Sequence, residues 1–189
     1  MRPLPPVKPR RWDEIARRMP TDRAILGAEV GVWQGKMSEQ LLRLLPNLRL
    51  YLVDRWCAPP AGDSYIGSGS KISAMGQDAH TRAYQLTLQH VAPYAERARV
   101  MQMTTLEAAA RLAEQGKRFD FVFIDADHSY AGVRADLIAW RPLVRAGGWP
   151  CGHDYSTDPA KQGEVRRAVD EQFPEGVTTG VNDTWFFRL

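Results

Sequence analysis

The sequence predicts an α/β fold, a doubly wound, mostly parallel sheet of seven strands with an antiparallel edge strand. Three observations predict it. Apolar runs of strand length alternate with stretches of helical character from residue 24 to residue 173, the order that sandwiches a parallel sheet between helices. Two of those runs, 48–53 and 119–124, are apolar nearly throughout, as strands buried on both faces are. The chain closes on two strand-like runs, 177–181 and 184–188, with no helix between them, and these supply the antiparallel edge.

Each element has a local reason. Prolines at positions 3, 5, 6 and 9 forbid regular helix at the start, so an extended tail leads into a short helix at 12–19. Together these make an N-terminal segment, 1–22, ahead of one domain, 23–189. A strand over 24–30 runs into a glycine-bearing turn ending at Gly35, then a helix ending near Pro46 whose apolar face is Leu41, Leu42, Leu44 and Leu45. The strand 48–53 follows. Residues 58–76 hold two prolines, four glycines and four serines without periodicity, a loop longer than compact domains usually carry and therefore either a lid or a disordered segment. Next come a helix at 77–95, a strand at 99–103, a threonine-capped helix at 105–116 and the strand 119–124. His80 and His90 fall on the first of these helices, at a surface where both would be solvated. The remaining elements are a helix at 130–140 terminated by Gly147 and Gly148, a short strand at 149–152, a helix at 161–173 and the closing pair.

Bulk composition narrows the function classes. With 189 residues, 44% hydrophobic and 25% charged, the chain suits one globular domain with a sizeable core. No apolar stretch approaches membrane-spanning length, and the start lacks a signal-peptide pattern, so a cytoplasmic location is expected. Cys57 and Cys151 stand far apart, which argues for reduced thiols and against a disulfide framework or a cysteine zinc site. The net charge is +3, and Arg10, Arg11, Arg17 and Arg18 make the start locally basic. No aromatic residues interleave a long basic run, so nucleic acid is not an expected partner. A homo-oligomer is compatible with the sequence.

Four segments carry the chemistry. In "AEVGVWQGKMS", residues 28–38, Glu29, Gly31 and Gly35 stand where a strand passes into a helix. Glycine there lets backbone approach a ligand, and a carboxylate can meet a cationic or hydroxyl group; a plain tight turn is the alternative. The three-glycine spacing of a dinucleotide fingerprint is absent, which disfavours a nicotinamide oxidoreductase. Asp54, 19 residues after Gly35 at the end of the second strand, is placed to accept from both ribose hydroxyls of a nucleoside, or else to cap a turn. In "FDFVFIDADHSY", residues 119–130, a buried strand delivers Asp125, Asp127 and His128 to its carboxyl end, where open α/β sheets bind ligands. Three ionisable groups in four residues need partners there. "RAGGWPCGHDY" brings His153 and Asp154 to the end of the following strand, so Asp125 and Asp154 could converge on one cation.

In this order the four segments resemble the class I S-adenosylmethionine-dependent methyltransferases, over roughly residues 25–189. Within that class "FVFIDADHSY", "LVRAGGW" and "GHDY" are similar to small metal-dependent O-methyltransferases of the macrolide-sugar and catechol type. The resemblance implies a Rossmann-like fold, S-adenosyl-L-methionine as cofactor and a small-molecule acceptor. It implies that Glu29, Gly31 and Gly35 line the methionine side, that Asp54 holds the ribose, and that Arg55, Trp56, Met103 and Thr104 flank the adenine, with Trp56 as a core or loop anchor the alternative. It further implies that Asp125, also beside the cofactor, and Asp154 hold a metal such as Mg2+, and that His128 is the base.

The sequence also departs from those families. Catechol-type enzymes have lysine where His128 stands and asparagine after the second aspartate, whereas here Tyr155 follows Asp154. A complete third protein ligand is not visible, and Asp125 orienting substrate or cofactor without a metal stays open. In the long loop, Asp63, Tyr65 and Lys71 are placed to touch substrate if it closes. Other readings are methyl transfer to nitrogen or a macromolecule, weakened by the absence of an Asn-Pro-Pro-Tyr-type motif, and a cofactor-binding domain without turnover.

Overall fold

The computed structural model describes residues 9–67, 70–156 and 163–189. Of the predicted N-terminal tail, residues 1–8 lie outside them. Seven strands form one sheet: β1 (Ile25–Val30), β2 (Leu48–Asp54), β3 (Ala98–Gln102), β4 (Phe119–Ile124), β5 (Val144–Gly152), β6 (Thr178–Thr179) and β7 (Trp185–Phe186). Their order is β3-β2-β1-β4-β5-β7-β6. The first five strands in space run parallel, and β7 is antiparallel to both β5 and β6, as the alternation and the closing pair predict. Because β1 is flanked by β2 and β4, the strand order reverses beside it. A crevice at the carboxyl ends of β1, β2 and β4 is the consequence.

Two cores face the sheet. On one side α1 (Arg11–Arg18), α2 (Lys36–Leu44) and α3 (Gln77–Val91) bury Ile15, Leu41, Leu42 and Ala83 against Leu50, Leu52, Phe121 and Phe123. On the other, α4 (Thr105–Glu114), α5 (Tyr130–Trp140) and α6 (Glu164–Gln172) bury Leu112, Leu137 and Ala168 against Val30, Val53, Val122 and Ile124. Neighbouring positions of β4 thus feed opposite cores, which is why its sequence is apolar without alternation. Ile15, 1% exposed, docks α1 onto the domain.

Two local expectations are corrected. Gly147 and Gly148 do not stop a helix. The helix ends at Trp140, Pro142 lies in a 3₁₀ turn, Arg141–Leu143, and the strand starts at Val144 with both glycines inside it. A Cβ on Gly148 would lie 2.9 Å from the Asp120 carbonyl oxygen, so the residue is small because β4 and β5 are close where their register shifts. His80 is not solvated, and His90 is half-buried. His80 is 4% exposed and meets the Trp33 ring edge-on at 5.2 Å between centroids, and His90 Nδ1 lies 2.8 Å from the Gln34 carbonyl oxygen. The cause is helical spacing: His80, Ala83, Thr87 and Val91 form the buried stripe of α3. The 58–76 loop contains two 3₁₀ turns, Ser64–Gly67 and Ile72–Ala74, while residues 68–69 lie outside the described set.

Candidate active site

The turn after β1 is built around backbone constraints. Gly31 has φ +88°, and a Cβ there would lie 2.2 Å from the Asp125 carbonyl oxygen, so only glycine lets this turn pass over the end of β4. Asp54 fastens the same turn. Its Oδ2 accepts from the Val32 and Trp33 amides at 3.0 and 2.9 Å, and its Oδ1 from the Trp56 amide at 2.8 Å. A carboxylate has about four acceptor sites, and Asp54 also lines the cavity. Capping the turn and accepting from a ligand hydroxyl are therefore compatible.

Glu29 lies beneath the turn. It is 3% exposed and accepts from the Ser38 hydroxyl at 2.5 Å. Burial pushes its carboxyl up to about 8, outweighing the lowering effect of that hydrogen bond.

A cavity of about 270 Å³ opens at the strand ends, and Gly31, Asp54, Arg55, Thr104 and Asp125 are in its wall. Glu29, Gly35 and Met103 lie behind that wall: Gly35, at φ +74°, caps α2, and Met103 packs against the second core. Trp56 sits where an anchor would, 1% exposed, its Nε1 donating to the Trp33 carbonyl at 2.7 Å. Its ring fills the space beside Tyr84, the position of a core anchor. From the loop, Asp63 and Tyr65 line the cavity and Lys71 does not. Asp63 is anchored by Arg55 at 3.2 Å.

At the ends of β4 and β5 the expected carboxylates come together. His128 Nε2 lies 3.5 Å from Asp125 Oδ1 and 3.3 Å from Asp154 Oδ2, and His153 Nδ1 lies 3.6 and 3.2 Å from the same two residues' Oδ1 atoms. Arg11 completes the group, its Nη1 donating to Asp125 Oδ2 at 2.7 Å. Burial opposes the charge on Asp125, but hydrogen bonds from His128 and His153 prevail and hold its carboxyl well below the usual range. Burial likewise opposes protonation of the imidazoles, yet hydrogen bonding to Asp125 raises both, His153 to about 9. Two carboxylates, two imidazoles and one guanidinium thus meet at the cavity's edge, with the Tyr65 ring edge-on to His128 at 6.4 Å.

Four contributors escaped the sequence reading. Arg11 reaches Asp125 from 114 residues away, a contact with no local signal. Trp33 and Thr105 line the cavity beside residues already singled out. Asp136 had a readable signal, since it interrupts the buried stripe Val133, Leu137 and Trp140 of α5.

A parallel sheet whose order reverses beside β1, a glycine turn there, an acid ending β2 and carboxylates ending β4 and β5 define an S-adenosylmethionine-dependent methyltransferase on a Rossmann-like frame. Residues 28–155 match the family described as "Methyltransferase domain", and the chain belongs to that family. Among solved structures, it is similar to the calicheamicin methyltransferase CalS11, with TM-score 0.70 and 18% identity over 94% of this chain and 76% of that one. It is also similar to an O-methyltransferase from Bacillus cereus solved with SAH, with TM-score 0.60 and 19% identity over 93% and 76%. The N-methyltransferase NodS from Bradyrhizobium japonicum shares the fold at TM-score 0.58 and 15% identity over 94% and 93%. No curated protein matches the sequence. Among the described residues no helix is long and apolar enough to cross a membrane.

Proposed function

We propose that this methyltransferase moves the methyl group of S-adenosylmethionine to a hydroxyl oxygen of a small molecule, with His128 as base. The observation that carries this reading is His128 Nε2, 3.5 and 3.3 Å from Asp125 and Asp154 at the edge of the cavity. Methyl transfer forms a carbon–oxygen bond, breaks the carbon–sulfur bond and releases a proton. A neutral imidazole between two carboxylates attracts that proton more strongly than a free one.

Asp54, Gly31 and Asp125 would hold the cofactor's ribose and methionine parts, and Thr104 with Arg55 its base. Asp125, His128 and Asp154 offer ligand atoms within 4.8 Å of one another, and two hard carboxylate oxygens suit a cation such as magnesium. When bound there, a divalent cation lowers the pKa of a substrate hydroxyl. Asp125 and Asp154 would hold it, with Tyr65 and the Asp63–Arg55 pair lining the cavity beside them.

A metal-independent reading has its own support, because the Arg11 guanidinium already neutralises Asp125 at 2.7 Å. Calorimetric titration of S-adenosylhomocysteine, with and without magnesium, separates the two. Cofactor-product binding that Asp54→Ala weakens, with a magnesium heat that Asp125→Ala abolishes, supports the metal-assisted reading. Binding without any magnesium heat favours the metal-independent one, and no binding at all overturns the cofactor assignment. Labelled methyl transfer to a panel of sugar and catechol hydroxyls, lost in His128→Gln with cofactor binding intact, tests the base.

A further inference from the structure

A second cavity, of about 240 Å³, opens at the opposite end of the sheet from the cofactor cavity. Its wall includes Asp120, the second residue of β4, Trp149 of β5, Arg18 at the end of α1, Arg23 and Arg188. The protein sets these arginines in place. Arg23 Nη2 donates to Asp120 Oδ1 at 2.7 Å, and Arg18 Nη1 donates to Glu14 Oε2 at 2.9 Å. The Arg18 guanidinium lies over the Phe186 ring, 3.8 Å from its centroid, and that of Arg188 lies 4.8 Å from the Trp149 centroid. Among the described residues Arg188 has no carboxylate partner, and its stacking on the indole holds it beside the recess. Like charges gathered around one recess repel, and no packing need calls for a charge at Arg188, which is exposed.

We infer that this recess, bounded by Arg18, Arg23, Arg188 and Trp149, is a binding site for a diphosphate group. Three guanidinium groups against the Asp120 carboxylate leave its wall with an excess of two positive charges. Behind the wall, Arg145 adds one at Asp120 and Glu14 removes one at Arg18, while exposed Asp22 acts on Arg23 through solvent, where salt screens it. Planar guanidinium forks match the oxygen pairs of phosphate, and stacking holds two of them in position before a ligand arrives. The recess is smaller than those that take drug-sized molecules. The Trp149 and Phe186 rings already carry guanidinium groups, so the charged group is what the site recognises, not a base or sugar attached to it. The same eight-residue helix, α1, carries Arg11 to Asp125 and Arg18 to this recess. A bound diphosphate therefore fastens the helix that brings Arg11 to the Asp125 cluster. None of this depends on where the cofactor lies.

The test is calorimetric titration of the full chain with sodium pyrophosphate in low-salt, magnesium-free buffer. Wild type is expected to bind about one equivalent, with a dissociation constant on the order of 0.1 mM. Arg188→Met and Arg18→Met should each weaken binding roughly tenfold, the effect of losing one charge-assisted fork. Arg167→Met, on α6 and outside the recess, should bind as wild type does. Amide exchange in α1 should slow when pyrophosphate is present. No heat up to about 10 mM pyrophosphate overturns the inference. So does an Arg188→Met variant that binds like wild type, or an Arg167→Met variant weakened as much as Arg188→Met, since either result places the anion elsewhere on the surface. Unchanged exchange in α1 overturns the fastening of that helix. Arg188 is exposed, so its variant folds and decides the matter even where Arg18→Met does not fold.

Discussion

Gly31 and Glu29 show how single residues near the cofactor site are constrained by what lies behind them. Gly31 has φ +88°, and a Cβ would strike the Asp125 carbonyl oxygen at 2.2 Å. Gly31→Ala should therefore destabilise the fold by about 3 kcal/mol, combining positive-φ strain with overpacking, and weaken S-adenosylhomocysteine binding. Urea unfolding and calorimetry on one sample check both. Glu29 gives a pH dependence. Its carboxyl is raised from 4.5 to about 8 in the fold, so the native state holds a proton that the unfolded chain releases. The stability this group contributes is fully present below pH 4.5 and declines as pH rises toward 8. Glu29→Gln, which keeps the Ser38 contact without the ionisation, should show a shallower fall in Tm between pH 5 and 8. A slope equal to wild type would mean that Glu29 ionises freely in the fold.

Among the elements, α1 is the one whose role is least local. It docks through Ile15 into the first core and through Arg11 to Asp125, so a helix outside the family match at 28–155 helps set the charge of the site. Arg11→Met should lower stability by only about 1 kcal/mol, because the guanidinium retains contact with water. Amide exchange should rise in α1 and stay unchanged in β1 and β4. Unaltered exchange in α1 would show that Ile15 and its apolar neighbours hold the helix unaided.

Taken as a whole, the molecule is two apolar cores sharing one sheet, and β4 is the strand common to both. Phe121, fully buried in the first core, should destabilise the protein by about 3–5 kcal/mol when replaced by alanine. Because β4 serves both cores, unfolding should remain one cooperative transition, whether followed by tryptophan fluorescence or by far-UV circular dichroism. Two separated transitions would mean that the cores melt independently. S-Adenosylhomocysteine at a hundred times its Kd should restore about 2.7 kcal/mol, provided the variant keeps wild-type affinity.

Much of this was determined by the sequence alone. Strand and helix order, the antiparallel close and the positions of Gly31, Asp54, Asp125, His128 and Asp154 at strand ends were legible, because period, apolar runs and glycine placement act over a few residues. The convergence of Asp125 with Asp154 followed from adjacent parallel strands. Only the tertiary structure decided that Trp56 fills the core, that His80 is buried under Trp33, and that Gly147 and Gly148 lie inside a strand, Gly148 where it closely approaches β4, rather than at a helix stop. It alone brought Arg11 to Asp125 and Thr105 to Asp136. Those outcomes depend on which surfaces meet across long stretches of chain, and local propensity carries no information about the partner on the other side of a contact.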